Sequence, residues 1–364
     1  MKVEDLQRRI EADFQKIKQD VQKPNILLAG ATGVGKSSLV NLCFGIDLAT
    51  VGVGSPVTQT IESYSSADVS VVLFDSKGYE VGSSGERQFL NDVVGLAGNK
   101  IQSPEKQIHL VWYCIQASGS RITDFDIDAI KSMRGAGLPV AVVLTKSDLV
   151  GDGDAESLRA AVQDAVPGVI VFETSTRADL GSFDLNRLIS WSYENLSESL
   201  RLGFISSQRR NVDLKRKAAK DILLQHSSGS AFVGFSPIPG SDAPILIANQ
   251  TAMLARILYV FDLQKMLGGL PVMTIIGPAL RELGMFAVGN ILKFFPGIGT
   301  VAGGLINGTI AATLTYAFGM SVIELCARIY SEALNGSADK LKDLIDNAAV
   351  ILNEEVVNEL KRSR

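Results

Sequence analysis

Eight consecutive residues, Gly30-Ala31-Thr32-Gly33-Val34-Gly35-Lys36-Ser37, restrict what this chain can fold into more than any other stretch. They follow the apolar run Ile26-Leu27-Leu28-Ala29 and open onto a stretch of helical character, 37–44. A buried strand, a glycine turn and a helix N-terminus in succession form the context in which Gly-x-x-x-x-Gly-Lys-Ser grips phosphate. Glycines let successive backbone N–H groups turn inward around anionic oxygens, and the helix end adds positive potential. Lys36 brings a point charge to the outer phosphates, and the Ser37 hydroxyl can ligate Mg²⁺, with Ser38 next in the turn. Without partners elsewhere the same residues are only a glycine-rich turn.

The partners come in order. Residues 25 to about 200 alternate short β-rich runs with helical stretches. Strands are expected at 25–29, 69–74, 108–115, 140–144 and 169–172, with an edge strand at 58–64. Helices are expected at 126–134, 155–165 and 185–200. Several of the strands lack polar alternation, as strands buried on both faces of a parallel sheet do. The pattern predicts a doubly wound, mostly parallel, six-stranded α/β domain. Forty residues beyond the glycine turn, Val71-Val72-Leu73-Phe74 runs into Asp75-Ser76-Lys77-Gly78. A carboxylate there can hold Mg²⁺ through water, and the Gly78 N–H can meet a terminal phosphate. Residues 140–144 lead into Thr145-Lys146-Ser147-Asp148. The Asp148 carboxylate can accept two parallel N–H bonds from guanine, a fork that adenine lacks. Residues 172–177, Phe-Glu-Thr-Ser-Thr-Arg, end the next strand, where Ser175 and Thr176 can offer N–H groups to the guanine oxygen.

In order and spacing these four segments resemble the P-loop GTPases. The glycine turn looks like their phosphate loop, Asp75–Gly78 like the start of switch II, and Thr145–Asp148 like the guanine motif, with Thr in place of the common Asn. The segment 173–177 is similar to the Glu-Thr-Ser-Ala-Lys loop of small GTPases. The stretch Gly-Ala-Thr-Gly-Val-Gly-Lys-Ser-Ser-Leu-Val-Asn looks most like septins, immunity-related GTPases and dynamin-like prokaryotic relatives. The resemblance implies GTP and GDP as substrate and product, Mg²⁺ as cofactor, and catalysis involving Lys36, Gly78 and a switch I threonine. That threonine is Thr58 by the Pro-Val-Thr pattern of the relatives, with Thr60 the alternative; Thr58 would join Ser37 and Asp75 around the metal. Where Ras-like enzymes carry a water-orienting glutamine this chain has Tyr79. Glu80 and Glu62 are candidates to place water, although a solvated acid is the plainer account of each. Slow turnover follows, sped by dimerisation or a partner.

The flanks differ in character. Apolar residues at steps of three and four predict an amphipathic helix over 1–23. The G domain is expected over 24–200 and a helical, apolar domain over 201–364. Residues 201 to 220 hold seven Lys or Arg and one acid, whereas 222–330 hold nine charges in 109 positions. The segment 236–244 reads as an interhelical turn with Asp242 as a cap, and 337–361 as one amphipathic helix. Residues 294–323 contain no charge. That length can span a membrane, but its glycines suit tightly packed helices equally. A homodimer or oligomer, or action at an anionic membrane surface, is the expected output, and a ribosome- or RNA-linked assembly role the rival. Acidic residues outnumber basic ones, 39 to 35, so binding of nucleic acid through excess positive charge is not expected. The three cysteines show no disulfide or metal spacing. The polar, mixed-charge start predicts no leader, and the expected location is cytoplasmic, peripheral or integral at a membrane through 294–323.

Overall fold

The computed structural model describes residues 3–45, 55–58, 60–66, 69–76, 85–97, 104–119, 122–177, 183–227, 243–271, 273–274, 277–278 and 308–362. These fall into two compact units. One comprises residues 21–211; the other joins residues 1–20 to 212–364. The N-terminal helix thus belongs to the helical unit, and the division lies at 211/212 where the sequence suggested 200/201.

In the first unit a seven-stranded sheet has the order β2-β3-β4-β1-β5-β6-β7. The strands are β1 (Asn25–Ala29), β2 (Ser55–Pro56), β3 (Ile61–Ser66), β4 (Val69–Ser76), β5 (Leu110–Gln116), β6 (Val140–Thr145) and β7 (Ile170–Glu173). The six expected strands are present, and the two-residue β2 is added at the edge. The order β4-β1-β5-β6-β7 is parallel throughout, and only β2–β3 and β3–β4 are antiparallel. Every residue of β1 and β6 is buried, as the absence of polar alternation required. Trp112 and Tyr113 on β5 are packing residues: Trp112 stacks on Phe44 with centroids 5.7 Å apart, and the Tyr113 hydroxyl donates to Asp126.

Helices on this sheet are α2 (Lys36–Phe44), α3 (Gly85–Gly95), α4 (Asp124–Gly135), α5 (Asp152–Ala165), α6 (Leu185–Asn195) and α7 (Glu198–Ser207). A Thr123–Asp126 capping box starts α4. The single helix expected over 185–200 is two, because Leu196 and Ser197 are both extended. Arg201 makes the break tolerable: its guanidinium donates to the carbonyls of Tyr193, Glu194 and Leu196, which have lost their helical partners.

The far end of α2 is closed by the last residues of this unit. Gly45 turns left-handed (φ 63°) and returns its N–H to Asn41. Arg209 N–H donates to the Cys43 carbonyl at 2.8 Å, and Arg210 Nε to Leu42 at 3.0 Å. Cations at a helix C-terminus also complement its dipole. A Cβ on Gly45 would overlap the Arg209 guanidinium. Similarly, Ser207 Oγ accepts the Ser70 N–H at the start of β4.

The second unit contains α1 (Val3–Asp20), α8 (Val212–Ser227), α9 (Ala243–Phe261), α10 (Leu263–Met266), α11 (Gly308–Leu334), α12 (Ala338–Asp346) and α13 (Ala348–Arg362). The apolar stripe of α1 packs on α9, where Phe14 meets Tyr259 edge-on at 5.7 Å. Lys215 is fully buried; its ammonium donates to the Val260 carbonyl at 2.6 Å and lies 4.9 Å from the Tyr330 ring centre. Much of the basic stretch is therefore engaged inside the fold, with Lys217 and Lys220 exposed. The helix expected over 337–361 breaks at Asn347, which leaves helical backbone geometry (φ −101°, ψ 11°) while its backbone N–H and side-chain amide both donate to the Asp343 carbonyl. Asp242 and residues 294–307 lie outside the described residues, and 308–323 belong to α11. Among the described residues no helix is long and apolar enough to cross a membrane.

Candidate functional site

The glycine turn sits at the carboxyl end of β1, where open α/β sheets place ligands. Its first glycine is dictated by space and by backbone shape. Gly30 adopts φ 130°, and a Cβ there would overlap the Cys114 carbonyl on the neighbouring β5. Lys36 is buried, with Nζ donating to the Gly30 carbonyl at 2.9 Å and to Ala31 at 3.3 Å. The same Nζ stands 3.9 Å from Asp75 Oδ1 at the end of β4. The loop carbonyls thus hold the ammonium over the turn in the place an incoming phosphate would claim.

A cleft of about 430 Å³ opens here. Thr32, Gly33, Val34, Gly35, Lys36, Ser37 and Ser38 form one wall, and Glu62, Tyr64, Asp75 and Ser76 the other. Ligand clefts typically have a volume of this order. The Asp75 carboxyl is displaced from its ordinary value. Burial pushes it up, Lys36 pulls it back and Glu62 adds to the rise, leaving it at about 6. Its Oδ1 is buried and accepts no hydrogen bond among the described residues. An orphaned carboxylate oxygen in one cleft with an exposed serine fits a hard divalent cation such as Mg²⁺, so Ser37 and Asp75 are the residues that would hold one.

The Thr145–Asp148 segment is tied to the glycine turn. Thr145 Oγ1 donates to the Val34 carbonyl, and Lys146 Nζ to Gly33 at 2.9 Å and Gln116 Oε1 at 2.7 Å. Lys146 adopts φ 55°, a left-handed strain at the turn out of β6. Asp148 follows in a short 3-10 turn and is half-buried. The Ser147 N–H bonds the Thr174 carbonyl, and the Thr174 N–H bonds Leu144. The tips of β6 and β7 are therefore joined, bringing Asp148 into one loop cluster with Ser175 and Thr176. Ser175 is buried and its Oγ accepts the Arg177 N–H, whereas Thr176 is exposed.

Arg159 anchors that cluster, and motif reading missed it. Its guanidinium donates to Glu173 Oε1 at 2.6 Å, Asp184 Oδ2 at 3.3 Å and the Val171 carbonyl at 3.0 Å. Burial would raise the Asp184 carboxyl, but bonds from the Glu173 N–H, Arg187 and Arg159 outweigh it and hold the group below its ordinary value. Only Glu173 belonged to a recognised segment; Arg159 and Asp184 converge through the fold.

The switch I threonines are placed differently from Ser37 and Asp75. Thr58 lies in the β2–β3 turn, outside the cleft lining, and its Oγ1 accepts the N–H groups of Thr60 and Ile61. Thr60 Oγ1 donates to Asp92 Oδ2 on α3 at 2.7 Å. Burial of Asp92 would raise its carboxyl, yet hydrogen bonds from Thr58, Thr60 and Gln88 leave it lowered. Gly78, Tyr79 and Glu80 lie outside the described residues. His109 Nδ1 accepts the Asn25 N–H, and among the described residues no cluster of His, Cys, Asp and Glu could hold a metal on its own.

Over residues 25–146 the sequence matches the family model described as 50S ribosome-binding GTPase. No curated protein matches the chain. Among solved structures it is similar to a probable GTP-binding protein engB, at 15% identity and TM-score 0.35, covering 47% of this chain and 97% of that one. It is similar to a dimerization-deficient mutant of Toc33 from Arabidopsis thaliana, at 18% identity and TM-score 0.33, covering 50% and 82%. It is also similar to a mutant Era from Aquifex aeolicus bound to GDP.AlF4-, at 14% identity and TM-score 0.35, covering 61% and 71%.

Proposed function

We infer from the P-loop GTPase domain that the chain carries over residues 25–146 that it binds GTP with Mg²⁺, hydrolyses it to GDP and phosphate, and acts as a nucleotide-dependent switch. One observation carries the reading: a single cleft unites the Gly30–Ser38 loop, the buried Lys36 and the carboxylate of Asp75. A phosphate entering the loop would meet inward N–H groups at the N-terminus of α2. It would exchange the carbonyl partners of Lys36 for a stronger, charge-assisted one. Asp148 accounts for guanine over adenine, because its carboxylate can accept both N–H groups of that base edge. Bound magnesium, held by Ser37 and Asp75, supplies charge neutralisation at the outer phosphates.

The sequence offers no glutamine after Gly78, so intrinsic turnover is expected to be slow. A group supplied in trans by a second copy or a partner contributes about 10³- to 10⁵-fold in enzymes of this chemistry. The helical unit is the natural reporter of nucleotide state, through self-association or at a membrane. The family description, which names the 50S ribosome, favours a second reading in which the output is ribosome-linked. Co-sedimentation with liposomes and with ribosomes, each with a GTP analogue and with GDP, separates the two.

Titration of the full chain with labelled GDP, GTP and ATP tests the core of the reading. Saturable guanine-nucleotide uptake is expected, abolished in Lys36→Ala. In Asp148→Asn the preference moves toward xanthine nucleotides, since the base edge then meets an amide. Tight GTP binding by Lys36→Ala would remove the phosphate-loop assignment.

A further inference from the structure

Edge strand β3 brings a second carboxylate into the cleft. Glu62 is the register partner of Asp75 across the antiparallel β3–β4 pair. Directly opposed residues leave a sheet on the same face, with Cβ atoms about 5 Å apart, and both of these line the cleft. Tyr64, two positions along and so on the same face of β3, donates its hydroxyl to Glu62 Oε2 at 3.0 Å. That bond fixes how the glutamate presents itself.

Like charges directly opposed on a sheet are unfavourable, and this pair stands where the orphaned Asp75 Oδ1 already calls for a cation. Lys36 offers only part of the compensation, because its ammonium is shared with two loop carbonyls. Mg²⁺ retains several of its waters when bound. Water carried by an ion held at Asp75 would find the Glu62 carboxylate on the same cleft wall as an acceptor.

We propose that Glu62 is a positioning residue for the divalent cation of the nucleotide, accepting hydrogen bonds from metal-held water beside Asp75, with Tyr64 fixing its orientation. This rests on the nucleotide reading of the cleft. Removing such an outer partner commonly weakens a metal site about 10- to 100-fold.

The experiment titrates the GDP-loaded full chain with Mn²⁺, read by electron paramagnetic resonance, alongside GDP affinity in EDTA. Glu62→Gln is expected to weaken Mn²⁺ binding about tenfold or more, while GDP affinity in EDTA stays at the wild-type value. Tyr64→Phe, which keeps the charge and loses only the orienting hydroxyl, is expected to weaken Mn²⁺ binding by a smaller factor. Wild-type Mn²⁺ affinity in Glu62→Gln overturns the proposal, as does an equal loss of GDP affinity with and without metal. If Glu62→Gln does not fold, unchanged Mn²⁺ affinity in Tyr64→Phe overturns it instead. Failure of the nucleotide reading itself looks different: the wild-type chain then takes up no labelled GDP.

Discussion

The strain at Asp75 predicts that its neutral isostere stabilises the nucleotide-free protein. Burial, opposed by Lys36 and reinforced by Glu62, lifts this carboxyl from 3.8 to about 6. A folded-state value above the unfolded one means the folded chain holds the proton more tightly. Stability from this group is therefore fully present below about pH 4 and is lost as pH rises through about 6. The lift converts to about 3 kcal/mol. Since solvent still reaches 24% of the side chain, about 2 kcal/mol is the working figure. Asp75→Asn removes the ionisation and sacrifices no hydrogen bond at Oδ1 among the described residues. The assay is urea unfolding without nucleotide or metal, followed by tryptophan fluorescence. Trp112 and Trp191, the chain's two tryptophans, both lie in the sheet-bearing unit. The variant should exceed the wild type by about 2 kcal/mol at pH 8 and converge with it near pH 4. An equal gain at both pH values, or none at pH 8, refutes the electrostatic account.

Gly30→Ala places a Cβ against the Cys114 carbonyl at a left-handed φ; a loss of roughly 3 kcal/mol, or failure to express in soluble form, is expected, and a wild-type urea midpoint contradicts the close approach. Arg159→Met leaves Glu173 and Asp184 without their shared cation; about 1–2 kcal/mol is expected. GDP affinity should fall in the same variant through a loosened 174–177 loop, and full retention of both refutes the anchoring role.

What the sequence made legible was whatever lies within a few residues of itself. The glycine turn, its preceding apolar run and the continuously apolar β6 announce buried parallel strands, one of them feeding a glycine turn and a helix, and the sheet has that form. Lys36 and Asp75, 39 residues apart in sequence and 3.9 Å apart in the fold, were legible because one opens the helix after a glycine turn and the other closes a recognisable strand. Arg159 and Asp92 were not. One helical arginine and one helical aspartate carry no local pattern, and their partners are set by which loops the sheet brings alongside. The helix breaks at Leu196–Ser197 and Asn347 were missed for another reason. Apolar periodicity runs through both, and the interruption lies in the backbone geometry of Leu196, Ser197 and Asn347. Thr58 against Thr60 also stays beyond reach of sequence, since both hydroxyls are β-branched neighbours and differ only in what they bond.

The clasp on α2 bears on where this protein may be cut. A truncated chain stopping at residue 200, the boundary that composition suggests, discards Ser207, Arg209 and Arg210. It thereby unseals the carbonyl end of the helix whose opposite tip carries the glycine turn, and frees the Ser70 N–H at the start of β4. A version ending at Asn211 keeps these seals. Anyone isolating the sheet-bearing unit for crystallisation or calorimetry should trim there, because those eleven trailing residues are masonry of the unit they close.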